Sequence, residues 1–288
     1  MLKSQDVFRV FEPYRGDAIV TTSGTAGRNW QEYSKITARD VSLGGAMGQT
    51  TSAAFGLALG LPDEKIVLFD SEGALLMNLG VMASIAGKAP KNFVHFVLDN
   101  EVYANTGGQM SKATPFGAAA KFAFKGKFKQ KKDLGFLAMN YEDVYVASVA
   151  IGADQQQTLQ AILEAEAHDG PSLIIAYCHS ASHGIETQFP SRYHKAAVAS
   201  GQWLLYRNDP RRTLNGLPNL QLDSGVPSIP LSEYLLMEGR FKNMFDRALE
   251  PNSIWMDMAQ KQVELRFAKY QAMANTIQSA LEQTFGMN

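Results

Sequence analysis

Residues 97–114, VLDNEVYANTGGQMSKAT, decide the fold of this chain. The apolar run 93–98 that leads into them is typical of a buried strand, and it ends at Asp99 and Asn100. A turn rich in Asn, Thr and Gly follows. A second apolar run, residues 65–70, ends at another polar turn, Ser71-Glu72-Gly73. The two runs therefore predict two strands that each deliver oxygen-bearing side chains at their carboxyl ends.

The spacing between the two turns predicts how they meet. Twenty-five residues lie between Gly73 and Asp99, which is room for one helix and one strand, a single βαβ crossover. Parallel strands end at the same edge of a sheet, so both turns should lie there, where α/β proteins hold their ligands. Carboxylate and amide oxygens suit a divalent metal. The pattern predicts a place for a metal ion and a diphosphate.

Composition limits the other possibilities. The net charge of −1 gives no electrostatic case for nucleic acid or for an anionic membrane as a partner. No run of 18 apolar residues exists, and the N-terminus carries both charge signs, unlike a signal peptide. The single cysteine, Cys178, excludes an internal disulfide and a four-cysteine cluster within these residues. We expect a cytoplasmic protein.

Strand and helix patterns alternate along most of the chain. This order predicts an α/β fold with a doubly wound parallel sheet. Predicted strands cover residues 18–22, 66–69, 93–98, 144–150 and 172–177, and predicted helices cover 1–14, 50–59, 74–86, 121–134, 155–167, 231–249 and 255–285. Residues 178–230 lack clear periodicity. We therefore predict an α/β domain at 1–178 and a C-terminal extension at 179–288, packed on that domain or on a partner.

The two turns resemble the fingerprint of thiamine diphosphate (TPP) enzymes, Gly-Asp-Gly followed some two dozen residues later by Asn-Asn or Asp-Asn. The segment NEVYANTGGQMSKATP, residues 100–115, is similar to the TPP-binding domain of pyruvate:ferredoxin oxidoreductases, and so are residues 141–177 and 200–211. That likeness covers roughly residues 64–280. The first sixty residues, with TTSGTAGRNWQEY and LGGAMGQTTSAAFGLALGLP, look more like the β-type half of phosphonopyruvate and sulfopyruvate decarboxylases.

The resemblance implies TPP and Mg²⁺ as cofactors. It implies metal ligation by Glu72, Asn100 and the Val102 carbonyl, with Glu72 in the place of the usual aspartate. Because Glu is one methylene longer, the backbone or side chain must adjust, and weakened metal binding stays open. The cofactor-binding residues implied are Thr22, Ser23, Gly24, Gly45, Met47, Ser71, Glu72, Gly73, Ala74, Asn100, Val102, Tyr103, Asn105 and Thr106.

Three of these residues have more particular roles by resemblance. Met47 is the apolar wedge under the bend of TPP, and the Gly45 carbonyl accepts a hydrogen bond from its 4′-amino group. Asn105 is the candidate catalytic residue beside the cofactor. The alternatives are that Met47 fills a gap in the core and that Asn105 lies in an ordinary polar turn.

The sequence of segment 178–185, CHSASHGI, differs from the corresponding segment of the oxidoreductases. They place a cluster-ligating cysteine where this chain has Ser180. We therefore expect that this chain ligates no iron–sulfur cluster and that Cys178 is a small core residue. His179 and His183 lack the partners of a zinc site. The basic run 121–132 is more typical of a solvated helix or a protein contact than of a nucleic-acid site.

The sequence predicts half of an active site. The family activates TPP with a glutamate from a pyrimidine-binding domain, and nothing here resembles one. We expect that glutamate on a separately encoded subunit, in a heterodimer or α₂β₂ assembly. The predicted function is non-oxidative decarboxylation or carboligation of a 2-oxo acid. The alternatives are a subunit of a 2-oxo acid:ferredoxin oxidoreductase and a non-catalytic scaffold of the same fold.

Overall fold

The computed structural model describes residues 6–186, 188–248 and 254–276. Its strands are β1 (Ile19–Thr22), β2 (Asp40–Ser42), β3 (Ile66–Ser71), β4 (Phe93–Asp99), β5 (Val102–Tyr103), β6 (Gln109–Met110), β7 (Tyr145–Val149), β8 (Ser172–Tyr177), β9 (Tyr206–Asn208) and β10 (Leu220–Leu222). Its α-helices are α1 (Val7–Phe11), α2 (Gly24–Trp30), α3 (Thr50–Gly60), α4 (Glu72–Met77), α5 (Val81–Lys88), α6 (Leu134–Ala138), α7 (Gln155–Glu166), α8 (Pro190–Ala199), α9 (Leu231–Leu236), α10 (Lys242–Ala248) and α11 (Trp255–Ala274).

Eight of the strands in these residues form one sheet in the order β10-β9-β7-β8-β4-β3-β1-β2. The six strands from β7 to β2 are parallel, and β9 and β10 continue the sheet as antiparallel strands. The predicted α/β fold with a doubly wound parallel sheet is confirmed. The neighbours β1, β3 and β4 all end at one edge, where ligands of such sheets bind.

Apolar side chains pack on both faces of the sheet, which is why its central strands are mainly apolar instead of alternating between apolar and polar residues. On one face the rings of Trp30, Phe69 and Phe96 stack, with centroids 5.3 and 4.7 Å apart along the row. On the other face, Tyr177 packs against Trp203 at 4.9 Å. These two layers hold the strand ends in fixed positions.

Several predicted elements differ from the structure. The helix predicted at 74–86 is two helices, α4 and α5, because the chain turns at Asn78, whose amide donates to Ser52 Oγ. The basic stretch 121–134 is not one helix. Phe122 and Gly126 have φ values of +67° and +94°, which a helix does not allow, and only α6 (Leu134–Ala138) follows.

Residues 178–230 contain more regular structure than their composition indicates. They supply α8 and the strands β9 and β10, which extend the sheet that the first 178 residues build. The division at residue 178 stays a prediction. The ends of the predicted helices 1–14, 231–249 and 255–285 fall partly outside the described residues. Within the described part, no helix is long and apolar enough to cross a membrane.

Candidate cofactor site

Asp70, near the carboxyl end of β3, joins three segments of the site. Its Oδ1 accepts hydrogen bonds from Ser23 Oγ at 2.7 Å and from the Ser71 backbone N–H at 2.8 Å. Its Oδ2 accepts from Thr50 Oγ1 at 2.7 Å and Thr51 Oγ1 at 3.2 Å, at the start of α3. The carboxylate is fully buried, and these donors replace the hydrogen bonds that water would make to it. Asp70 therefore fixes the turn after β1 against the turn after β3.

The turn Ser71-Glu72-Gly73 begins α4. Ser71 Oγ accepts the Ala74 backbone N–H at 3.3 Å, an N-cap that ties the turn to the helix. Glu72 is fully buried, and its Oε1 accepts a hydrogen bond of 2.9 Å from Ser111 Oγ, while its Oε2 has no partner. Burial, and then the nearby Asp99, raise the pKa of Glu72 well above its usual value. An unpartnered buried carboxyl oxygen is the kind of atom that a metal ion would satisfy.

Gly73 allows the turn to lie directly under an aromatic ring. A Cβ at this position would fall 2.4 Å from the Tyr103 ring, so any side chain would displace the tyrosine. Tyr103 belongs to β5, which follows β4. The close approach therefore brings the two polar turns together, as the sequence predicts for two neighbouring strand ends.

The turn after β4 reverses the chain at Glu101, which has a left-handed backbone with φ +61°. The Val102 backbone N–H then donates to Asn100 Oδ1 at 3.3 Å, and the Val102 carbonyl accepts the Ala104 N–H at 3.0 Å. Both oxygens keep a second lone pair for a ligand. In the described residues no hydrogen bond joins Glu72 to Asn100 or to Val102.

The hairpin β5–β6 carries Asn105 and Thr106 at its exposed tip. Thr106 Oγ1 donates to Gln109 Oε1 at 2.6 Å, which closes the tip. Gly24, with φ +51°, faces this tip, and a Cβ there would lie 3.8 Å from Asn105 Nδ2. The candidate catalytic asparagine therefore lies beside the Thr22-Ser23-Gly24 turn.

The loop of Gly44, Gly45, Ala46 and Met47 is exposed at the same edge of the sheet. The Gly45 carbonyl accepts the Met47 N–H at 2.9 Å, and the Met47 side chain is 39% exposed. Met47 therefore does not fill a gap in this chain's core. The next residue, Gly48, has φ +83°, and a Cβ at this position would lie 3.1 Å from Met77 Cβ and 3.8 Å from the Ala74 carbonyl oxygen. This close approach places the loop against the start of α4.

Sequence reasoning did not single out Asp70, Ser111 or Lys131. Lys131 Nζ donates to Asp99 Oδ2 and to Glu101 Oε1, each at 2.7 Å. A polar residue at the end of a mainly apolar run is the signal that could have identified Asp70, as it did identify Asp99. Ser111 and Lys131 gave no comparable signal: Ser111 lies in a loop, and Lys131 lies in the segment 121–134, which the sequence wrongly predicts as a helix.

Segment 178–185 contacts the site through its histidines. Cys178 is buried, and burial raises the pKa of its thiol. His183 Nε2 donates to the Asn100 carbonyl at 2.8 Å, and His179 hydrogen-bonds His194 at 3.0 Å. Among the described residues no group of three or more His, Cys, Asp or Glu side chains forms a metal site. These histidines have structural partners.

Known proteins resemble this chain in the region that builds the site. Residues 22–176 match the family model for the thiamine pyrophosphate enzyme, C-terminal TPP binding domain. The pyruvate-flavodoxin oxidoreductase of Trichormus variabilis is 53% identical over 184 residues, which is 64% of this chain and 16% of the relative. The enzyme of that name from Rhodospirillum rubrum is 40% identical over 241 residues, 83% of this chain and 20% of the relative.

A solved structure shows the same fold. The 2-oxoglutarate:ferredoxin oxidoreductase from Magnetococcus marinus superposes with a TM-score of 0.53 at 17% sequence identity, over 62% of each chain. The chain spans at most about a fifth of the length of the curated relatives above. The likeness of residues 1–60 to the phosphonopyruvate and sulfopyruvate decarboxylases stays a prediction. Since the family model covers more than half of the residues, the chain belongs to the thiamine pyrophosphate enzymes, as their C-terminal TPP-binding domain.

Proposed function

We propose that this chain is the diphosphate-binding part of a TPP- and Mg²⁺-dependent 2-oxo acid oxidoreductase. The observation that carries the proposal is the convergence of three polar turns, after β1, β3 and β4, at one edge of the sheet. Ser23, Asp70 and Ser71 share one hydrogen-bond network there, and Tyr103 covers Gly73. Backbone N–H groups and hydroxyls at such an edge suit the oxygens of a diphosphate.

The residues of the site divide into two groups. The turn of Thr22, Ser23 and Gly24 and the start of α4 at Gly73 and Ala74 would hold the diphosphate. Glu72 Oε2, Asn100 Oδ1 and the Val102 carbonyl supply the hard oxygen atoms that Mg²⁺ prefers. The orphaned Glu72 oxygen supports this assignment, because it has no other partner in the described residues.

TPP, when bound, supplies an electron sink for cleavage next to a carbonyl group. This chain's contribution is to orient the cofactor. Met47 and the Gly45 carbonyl would support its folded shape from the exposed loop, and Asn105 would face its reactive side. The names of the relatives favour oxidation of a 2-oxo acid such as pyruvate over the non-oxidative decarboxylation or carboligation predicted from the sequence.

The activating glutamate would lie outside these 288 residues. The exposed loop with Met47 and the exposed tip with Asn105 and Thr106 form the surface on which a pyrimidine-binding domain would close. The relatives contain the matching segment within much longer chains, so they give no support to a separately encoded subunit or to an α₂β₂ assembly. We further propose that iron–sulfur clusters, if the assembly has them, are ligated elsewhere, because Cys178 is buried and position 180 is a serine.

A paired assay tests the proposed reaction. The full-length protein, with any chain that carries its pyrimidine domain, is given pyruvate or another 2-oxo acid with coenzyme A and a low-potential dye. The proposal predicts dye reduction that requires TPP and Mg²⁺. Release of CO₂ and aldehyde at the same rate without the dye would instead support the decarboxylase. Absence of both reactions across a panel of 2-oxo acids would favour the scaffold.

A further inference from the structure

We propose that Arg240, from the C-terminal extension, is a positioning residue that holds the metal-binding turn in shape through Glu101. This inference rests on the proposed function, because it assigns that turn to Mg²⁺. Arg240 lies 139 residues away from Glu101 in the sequence, yet its Nη2 donates to Glu101 Oε2 at 2.6 Å. The structural basis of the inference is that Glu101 stands between two of the proposed ligands, Asn100 and the Val102 carbonyl.

Every polar group of Glu101 is engaged. Its backbone N–H donates to Asp99 Oδ1 at 3.0 Å, and its carbonyl accepts from Thr114 Oγ1 at 2.6 Å. Its side chain is buried, with Lys131 on one carboxylate oxygen and Arg240 on the other. Four attachments on one residue fix its orientation and, with it, the course of the backbone between Asn100 and Val102.

The conformation of Glu101 explains why such attachment is needed. A left-handed backbone is unfavourable for a residue with a side chain, and it persists where the surroundings determine it. The turn gains its shape from this conformation, because it brings the Val102 N–H to Asn100 Oδ1. Without the two cations, the buried carboxylate would lose the charges that hold it in place.

Arg240 is itself fixed to the rest of the extension. Its Nε donates to Glu238 Oε2 at 2.6 Å, and Glu238 Oε1 accepts from Tyr234 Oη at 2.9 Å. The backbone carbonyl of Arg240 accepts a hydrogen bond from the Ala119 N–H at 2.7 Å. The extension also supplies His183, which donates to the Asn100 carbonyl. The C-terminal segment therefore holds the ligand turn from behind, at two successive residues.

The test compares Arg240→Met with Arg207→Met in the full-length protein. Arg207 is the matched control: it also bridges two carboxylates, Glu164 at 2.5 Å and Asp223 at 2.8 Å, but through β9 on the antiparallel side of the sheet. Hydrogen exchange of the peptide 99–108, without cofactor, reports the order of the turn. The Mg²⁺ dissociation constant, measured by calorimetry with saturating TPP, reports its function.

The inference predicts faster exchange of 99–108 in Arg240→Met than in Arg207→Met. It also predicts a Mg²⁺ dissociation constant raised by about 10–100-fold, as is usual when a residue behind a metal ligand is lost. Glu101→Gln should produce changes in the same direction and at least as large, because it also weakens the contact with Lys131. The double variant should lose less than the sum of the two single variants, because the Arg240–Glu101 interaction is shared by both. If Arg240→Met does not fold, Glu101→Gln and the control decide the question.

Equal exchange of 99–108 in the two arginine variants would overturn the inference, and so would an unchanged Mg²⁺ dissociation constant. A uniform rise in exchange across the sheet would also overturn it, because Arg240 would then act only on overall stability. Failure of the unmodified protein to bind TPP and Mg²⁺ would instead overturn the proposed function. The exchange result in the absence of cofactor would still decide whether Arg240 holds the turn.

Discussion

Ser111 donates a hydrogen bond of 2.9 Å to one oxygen of Glu72 and leaves the other oxygen without a partner. The two residues are 39 positions apart in the sequence, and both are buried. The bond holds the longer carboxylate that replaces the usual aspartate in a defined orientation. In the proposed metal site, Ser111 would fix one oxygen of Glu72 and the other oxygen would bind the cation.

The first prediction concerns this pair. Glu72→Asp should keep or improve Mg²⁺ affinity, and Glu72→Gln should weaken it by about tenfold or more, because the amide carries no charge. Ser111→Ala should weaken it less, since the carboxylate remains and only its orientation is lost. Titration of activity with Mg²⁺ measures all three. Unchanged affinity in every variant would show that Glu72 does not ligate the metal, and binding gained only in Glu72→Asp would favour the scaffold.

Met47 tests the support of the cofactor. Met47→Ala should lower kcat more than it lowers TPP affinity, because it removes the apolar support of the ring geometry without touching the diphosphate turn. Met77→Ala is a suitable control, as Met77 is also exposed and lies close to Gly48 in the adjoining segment. Steady-state kinetics and TPP titration separate the two effects. Equal kcat in Met47→Ala and the unmodified protein would show that another residue is the wedge.

Asp70 tests the framework of the site. Asp70→Ala leaves the buried hydroxyls of Thr50 and Thr51 and the Ser71 N–H without their acceptor, so we expect a loss of about 2–4 kcal/mol in the free energy of unfolding. Asp70→Asn should cost less, because its amide keeps one acceptor oxygen and hydroxyls can reorient. Urea unfolding measures both. Asp154→Ala, which removes an N-cap far along the chain, should cost about 1 kcal/mol. Equal losses in the two alanine variants would argue against a central role for Asp70.

The buried imidazole of His194 should make the stability of the fold depend on pH. Burial, and then the adjacent His179, lower the pKa of His194 to about 3. Between that value and about 6.5, the ordinary pKa of histidine, the unfolded chain binds a proton that the folded chain does not. Stability should therefore fall as pH drops through this window, by at most about 1.4 kcal/mol per pH unit from this residue.

Comparison of His194→Asn with the unmodified protein isolates that contribution. The variant should be less stable at pH 7, because the Gly152 N–H loses the imidazole acceptor that it contacts at 3.2 Å. Its free energy of unfolding should also change less steeply between pH 6.5 and 4 than that of the unmodified protein. Parallel slopes for the two proteins in urea titrations at several pH values would contradict the assignment.

The parts of the fold that follow from local pattern were predicted well. Strands β3, β4, β7 and β8 are mainly apolar because both faces are covered, and their ends lie within two residues of the predicted ones. The basic segment 121–134 was predicted wrongly as a helix. Its path depends on backbone pairing with distant residues, such as the bond from the Lys121 N–H to the Gly108 carbonyl, which a periodicity argument does not contain.

In the candidate site, too, the residues next to strand ends could be predicted from the sequence, and the residues that hold them could not. Ser71, Glu72, Gly73, Asn100 and Val102 follow strand ends, and the spacing of the turns brings them to one edge of the sheet. The residues that hold them come from elsewhere in the chain: Ser111 from a loop, and Lys131 and Arg240 from two stretches that the sequence predicts as helices. Their contacts depend on the tertiary fold, so no local pattern shows them. The proposed roles of the predicted residues await the measurements above.

The most direct test of the central claim is the thermal shift of the full-length protein, with its pyrimidine-binding domain present, on addition of TPP and Mg²⁺. At 100-fold excess over the dissociation constant, ligand binding adds about 2.7 kcal/mol to the stability of the unit that binds it and so raises its Tm. The rise should require both ligands and disappear in Asn100→Ala. No shift at millimolar TPP and Mg²⁺ would contradict the claim that this chain holds the cofactor.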